Sequence, residues 1–433
     1  MSKILVSAVP LAGHANPMLI IAEFLRSQGH DVLFNSSDVF REKAEACGLR
    51  FRPLTGNANY DYRRLGELIP ELRKATSPED LFIAYVKHMV GDRIPDQYHG
   101  VRSILDEENV DLVIADGAFY GILPLLLRTG PRPPVISCGT IAPLWHDSGS
   151  SELTGPDNTP EGRARNLAYS KAWKQERSPA AGYIDEVLAK LGTHVPGGFD
   201  VTETMYRLPD LFLQLGAEAF EYPLFDARPN LHFTGPLMPR LKTSVHPPLW
   251  LNHLDESKPL IFVTQGTLAN FNFDQLVNPA LAGLAEEDVQ VVVTAGAGDT
   301  GKITLQKNSI LESYLPYDLI LPKTSVFVTN GGYNGVQQAL SYGVPIVTAG
   351  ATEDKPRVGA RVQWTGAGID LKTGNPSEEQ IREAVREVLR NPSFRAKAVE
   401  LGASIAKTDA LTTVTHFAEG AIAGSVCCKA RRE

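Results

Sequence analysis

Residues 321–355, LPKTSVFVTNGGYNGVQQALSYGVPIVTAGATEDK, constrain the fold more than any other stretch of this chain. The apolar run Val326, Phe327, Val328 ends in Thr329-Asn330-Gly331-Gly332. Val336, Ala339 and Leu340 then recur at helical spacing, and Gly343 with Pro345 stops that helix. A second apolar run, 344–347, follows, and a polar loop carries Asp354 and Lys355. Strand, glycine turn, helix and strand in that order make a βαβ unit with its turn at the carboxyl end of a strand. Two glycines at a helix start let a ligand approach the backbone, and the unpaired N–H groups of the first turn favour an anion. Such a turn can also simply join strand to helix.

The amino terminus repeats the pattern. Residues 4–9 read as a buried strand, 10–17 as a polar turn bearing Gly13 and His14, 19–25 as a helix ending near Gly29, and 31–35 as a second strand. That is the opening of a doubly wound α/β domain. Strands follow at 110–114, leading into Asp116, and at 134–137 and 211–214, with a crossing segment at 231–236. Stretches 54–100 and 145–200 are long and poor in strand signal, with helices expected near 163–173 and 181–191; such insertions usually form binding walls. Proline and charge at 236–248 suggest a linker, after which α/β alternation restarts with strands at 260–264, 290–294, 319–321, 326–328 and 346–347. Helical spacing covers 378–401, and 410–423 forms a final helix. The expected organisation is an α/β domain over 1–238, a second over 239–409, and a terminal segment, 410–433.

Composition narrows the function classes. A chain of 433 residues has ample core for two such domains, and its net charge of −8 argues against nucleic acid or an anionic membrane as partner. Four cysteines, Cys47, Cys138, Cys427 and Cys428, are too few and too irregular for a disulfide framework or a zinc site, which suggests a cytoplasmic setting. No apolar run reaches the roughly 18 residues of a membrane span, and the first residues enter a strand directly.

The 321–355 segment resembles the donor-binding signature of GT-B, family 1 nucleotide-sugar glycosyltransferases, the natural-product UDP-glycosyltransferases. Pro322, Gly332, Asn334 and Gly343-Val344-Pro345 match that signature in place. Asn330 stands where histidine is usual, Gly335 replaces serine, Gln338 replaces glutamate, and Asp354-Lys355 replace Asp-Gln. The resemblance implies two Rossmann-like α/β domains facing each other across a cleft, with the last helix packed back on the first domain.

It also implies roles. Gly13-His14-Ala15-Asn16-Pro17 is similar to the family's G-H-x-x-P turn, making His14 the expected general base. An unperturbed imidazole pKa of about 6.5 suits that task. Asp116 resembles the aspartate that orients this histidine, although aspartate before Gly-Ala also suits a helix N-cap. On the donor side, Gly266-Thr267 match a phosphate-contacting turn, Tyr314 stands where an aromatic stacks on uracil, and Asn330 and Gln338 offer amide donors to phosphate and ribose. Asp354 should accept from sugar hydroxyls, and Lys355 should bind a hydroxyl or offset leaving-group charge. Gly13, Gly331, Gly332, Asn334 and Gly335 complete the expected donor contacts.

The sequence has no D-x-D triplet, so no metal ion and no resident cofactor are expected. Leaving-group charge would instead meet amides and helix N-termini. Tyr60, Tyr62, Phe82, Tyr85, Phe119, Tyr120 and Trp145 place aromatics where the acceptor should lie, though core packing also explains such residues. The expectation is an inverting transferase that moves a hexose, glucose from UDP-glucose, to a hydroxyl of a hydrophobic phenolic, polyketide or terpenoid. It would act as a monomer or homodimer. The alternatives are a non-catalytic nucleotide-sugar-binding subunit, which the altered donor positions would suit, and a UDP-sugar epimerase.

Overall fold

The computed structural model describes residues 1–151, 155–238, 247–266, 272–296 and 298–424. Its first half contains β1 (Lys3–Ser7), β2 (Asp31–Ser36), β3 (Arg50–Pro53), β4 (Leu112–Asp116), β5 (Val135–Gly139), the short hairpin β6 (Ser150–Ser151) and β7 (Gly155–Pro156), β8 (Leu211–Gln214) and β9 (Leu231–Phe233). The second half contains β10 (Leu260–Thr264), β11 (Gln290–Thr294), β12 (Ser309–Glu312), β13 (Val326–Thr329), β14 (Ile346–Thr348) and β15 (Gly368–Asp370).

Two parallel sheets result, ordered β3-β2-β1-β4-β5-β8-β9 and β12-β11-β10-β13-β14-β15. In each the strand order reverses direction once, between β1 and β4 and between β10 and β13. A crevice opens at such a point, because the connections leave to opposite faces of the sheet. Strands covered on both faces must be apolar throughout, and β4, β5, β8, β10 and β13 are fully buried. Each sheet has a core cluster on either face. The last helix, Ala410–Ala423, places Leu411, Val414 and Ala418 in the cluster that holds Ile4, Val6 and Met18 of the first half. Burying Leu411 and Val414 contributes ~1.5–3 kcal/mol each, so the terminal helix is held by the first sheet.

Buried polar contacts join the halves. The Ala217 amide donates to Gln337 Oε1 at 2.7 Å, Tyr333 hydroxyl donates to Glu221 Oε1 at 2.7 Å, and Arg361 Nε donates to Glu221 Oε2 at 2.5 Å. The Arg361 guanidinium also lies 4.6 Å from the Tyr222 ring centroid.

Three local readings of the sequence are corrected. The 10–17 turn is largely helix: Ala12–Ser27 is continuous, with Pro17 inside it. Burial of Ala12, His14 and Ala15, together with the Leu11 carbonyl accepting the His14 and Ala15 amides at 2.9 and 2.8 Å, outweighs the weak local preference. Residues 319–321 are helical, in Tyr317–Ile320 and the turn Leu321–Lys323, and the edge strand is Ser309–Glu312 instead. A short apolar run reports burial and does not separate helix from strand. Lys355 is not in a loop but opens the helix Lys355–Thr365. Residues 239–246 of the expected linker lie outside the described residues.

Candidate active site

The turns after β1 and β4, the reversal point of the first sheet, bring His14 and Asp116 together. His14 sits on the first turn of Ala12–Ser27 and Asp116 closes β4, so 102 residues of chain separate two side chains whose Nδ1 and Oδ1 are 2.9 Å apart. Both are buried. A carboxylate only accepts hydrogen bonds, so Nδ1 carries the proton toward Asp116 and Nε2 presents its lone pair. Thr140, just beyond β5, makes the pair a triad: its Oγ1 is 2.9 Å from His14 Nδ1 and donates to Asp116 Oδ1 at 3.1 Å. The Ala118 amide donates to the same oxygen at 3.3 Å, so the N-cap-like use of Asp116 and its use by His14 coexist.

Burial pulls the His14 pKa down, but the charge and hydrogen bond of Asp116, aided by Asp354 and Glu353, outweigh it and hold the value above the ordinary one. The neutral ring needed for a base therefore dominates only at higher pH. The acid limb of kcat/KM is expected to have its midpoint above about pH 6.5, and Asp116→Asn should move it down. A pH–rate profile checks this. The stability linkage has the opposite sense: the pair's contribution is full below about pH 6.5 and is lost as pH rises through the raised value.

Asp354 reaches this corner from the second half. The loop after β14 passes through Glu353 in the left-handed region, at φ 58°, a conformation that costs a non-glycine residue about 1 kcal/mol. It aims Asp354 Oδ2 at the Ala142 amide, 2.9 Å away, two residues past Thr140. Burial raises the Asp354 pKa against the opposing pull of that amide and Lys355. Lys355 is buried, with its ammonium against Glu353.

The reversal point of the second sheet brings together the turns after β10 and β13, where most of the other expected donor contacts lie. Gly266, at φ 77°, follows β10, and Gly331, at φ 90°, follows β13. Asn330 Nδ2 donates to the Gln265 carbonyl at 2.6 Å and so ties the two turns together, which is a different use from the expected phosphate contact. The helix Tyr333–Ser341 starts from Gly332 with no side-chain cap, and a Cβ built at Gly332 or at Gly13 meets nothing within 4 Å. These glycines therefore leave open space beside first-turn N–H groups, as an anionic ligand requires. Asn334 and Gly335 lie on that first turn, partly exposed. Gln338 turns away, donating to the Leu237 carbonyl at 3.2 Å. Tyr314 is 74% exposed, a free aromatic face. Thr267 lies outside the described residues. Among the described residues, no group of three His, Cys, Asp or Glu side chains is placed to hold a metal, and no helix is long and apolar enough to cross a membrane.

Thr140 escaped the sequence reading, although Gly139-Thr140 at a strand end repeats the Gly266-Thr267 pattern and was a usable signal. Nothing local marks Glu221 or Arg361, whose pairing spans 140 residues.

Two Rossmann-like sheets with this strand order, and polar side chains gathered at their reversal points, define a GT-B glycosyltransferase. Comparison with known proteins agrees. Residues 278–417 match the family described as "Erythromycin biosynthesis protein CIII-like, C-terminal domain". The chain is 34% identical over 432 residues to UDP-glycosyltransferase 2 of Phaeomoniella chlamydospora, spanning 95% of this chain and 94% of that protein. It is 32% identical to UDP-glucosyltransferase B1 of Starmerella bombicola, over 94% of this chain and 96% of that protein. The calicheamicin glycosyltransferase CalG4 superposes with a TM-score of 0.74 at 20% identity, over 99% of both chains, a likeness of fold. The protein belongs to the natural-product UDP-glycosyltransferases of family 1 and is a UDP-dependent glycosyltransferase.

Proposed function

We propose that the chain transfers glucose from UDP-glucose, with inversion, to a hydroxyl of a hydrophobic small molecule, with His14 as general base and Asp116 as its orienting partner. The observation that carries this reading is the buried Nδ1–Oδ1 contact of 2.9 Å, which leaves Nε2 as the basic atom at a strand-end crevice. The acceptor hydroxyl proton passes to Nε2 as its oxygen forms a bond to the anomeric carbon. The bond from that carbon to the phosphate oxygen breaks, and UDP leaves with the electron pair. Attack opposite the leaving group turns an α-linked donor into a β-glycoside. Asp116 and the Thr140 hydroxyl hold the ring and stabilise the imidazolium.

For the donor, the proposed contacts are Gly266, Thr267, Gly331, Gly332, Asn334 and Gly335 around the phosphates and Tyr314 on uracil. Asp354 and Lys355 are the proposed contacts of the sugar, with Gly13 lining the same cleft, while the Asn330 and Gln338 amides, expected on phosphate and ribose, are engaged by the Gln265 and Leu237 carbonyls. The open space at Gly332 supports the phosphate site, and the name of the glucosyltransferase relative supports glucose. The proposed units are 1–238, 239–409 and 410–433, in a cytoplasmic protein. A calorimetric titration with UDP in the presence of EDTA tests the donor half. Micromolar binding, about −8 kcal/mol, is expected without metal. Absence of binding to both UDP and dTDP would leave a partner subunit as the better account.

A further inference from the structure

One corner of the second half gathers two helix N-termini and a buried ammonium. Gly331 lies in the turn after β13, and the helix Tyr333–Ser341 begins beyond it with no side-chain cap. The helix Lys355–Thr365 starts beside that turn, likewise without a side-chain cap and with no acidic residue in its first turn. A Cβ built at Gly331 stands 3.5 Å from the Lys355 carbonyl oxygen and 3.8 Å from the Lys355 Cβ. One built at Gly350 meets the Lys355 Cβ and Cδ at 2.7 and 2.9 Å. The lysine stem therefore runs along the turn where the donor diphosphate is proposed to bind. Both helix ends and the ammonium are positive, so the corner favours an anion.

The carboxylate in contact with Lys355 Nζ is that of Glu353. Residues two apart do not face each other along a helix, so this contact depends on the left-handed backbone of Glu353, at φ 58°. Asp354, the other carboxylate of the loop, is turned onto the Ala142 amide at 2.9 Å, and Arg357 donates to the Glu353 backbone carbonyl at 3.5 Å. The pair is lopsided, for the lysine side chain is 8% exposed and the glutamate 61%. A buried ammonium needs an anion in contact, whereas a carboxylate that already faces water loses little when another anion replaces it. The phosphate turn itself carries no cation, since Asn330 stands where histidine is usual and is tied to the Gln265 carbonyl.

We propose that Glu353 is an internal counter-anion, which holds Lys355 in the free protein and yields it to the diphosphate of the bound nucleotide. Lys355 then meets a diphosphate oxygen as well as the sugar, and supplies the charge that the Asn330 turn lacks. As the bond from the anomeric carbon to the phosphate oxygen breaks, the electron pair collects on that oxygen and the ammonium faces it. Glu353 acts through Lys355 and is a positioning residue, setting how freely the ammonium reaches the nucleotide. The inference rests on the donor-site reading given above and deepens it.

Calorimetric titration with UDP at neutral pH in the presence of EDTA tests this without turnover. Glu353→Gln should bind UDP about tenfold more tightly than wild type, because the buried ammonium has lost its competing carboxylate. Lys355→Gln should bind UDP about tenfold more weakly. In the double variant Glu353→Gln/Lys355→Gln the gain should vanish, leaving the affinity of Lys355→Gln. A merely structural role for Glu353 would not tighten UDP binding through Lys355. Uridine, which has no phosphate, should bind all four proteins alike and shows that each is folded. Glu353→Gln changes an exposed side chain, so its result stands even where a lysine variant fails to fold. UDP affinity unchanged or weakened in Glu353→Gln, or a gain that survives in the double variant, overturns the assignment. UDP binding by wild type with no gain in Glu353→Gln removes only the Glu353 role, whereas a wild type that binds neither UDP nor dTDP removes the donor reading with it.

Discussion

Replacing His14 with alanine is expected to lower kcat by about three orders of magnitude, with UDP affinity unchanged. The expectation follows from position. Nε2 is the atom left free when Nδ1 is held 2.9 Å from Asp116, and it stands at a strand-end crevice with Asp354 nearby. Alanine removes the base and leaves the donor turns after β10 and β13 untouched. Asp116→Asn should cost nearly as much, because an amide can donate to Nδ1, favour the other tautomer and fail to stabilise the imidazolium. Thr140→Val should cost only about tenfold, since it removes one orienting hydrogen bond. Single-turnover assays with UDP-glucose, paired with calorimetry on each variant, separate the chemical step from donor binding. Full transfer by His14→Ala would remove the base assignment.

The second large effect concerns how the two halves are held. Glu221→Ala is expected to destabilise the protein by about 3–5 kcal/mol, read from urea unfolding, because it strands a buried Arg361 and an unpaired Tyr333 hydroxyl. The double variant Glu221→Leu/Arg361→Met should recover most of that loss, since an apolar pair of similar volume avoids both desolvation penalties. A loss under about 1 kcal/mol for Glu221→Ala would be what an exposed pair gives and would show that burial does not govern this contact. Arg361 also stacks on Tyr222, so its own removal should cost packing as well as charge.

Much of the architecture was legible in the sequence because its signals are local. The strands at Leu211–Gln214, Leu260–Thr264 and Gln290–Thr294 and the helix Ala410–Ala423 lie where the apolar patterns place them. Gly331 marks a strand-to-helix turn because few other residues adopt its φ of 90°. The errors fell where local signals are ambiguous. Ile320 and Leu321 are buried, yet the Leu319-Ile320-Leu321 run is helical, and the polar His14 turn became helix because tertiary burial outweighed its glycine and proline.

The sequence by itself determined that this chain would build two α/β sheets and would carry His14, Asp116 and glycine-bearing turns at strand ends. Apolar periodicity and turn chemistry act over a few residues and survive in one dimension. Only the tertiary structure decided which polar groups meet. It gave Thr140 to His14, turned Asn330 onto the Gln265 carbonyl and set Asp354 against the Ala142 amide. Those partners are 65 to 212 residues apart. Hydrogen bonds and charges act over a few ångströms of space, and no pattern in the chain records which distant residue the fold will bring within that range.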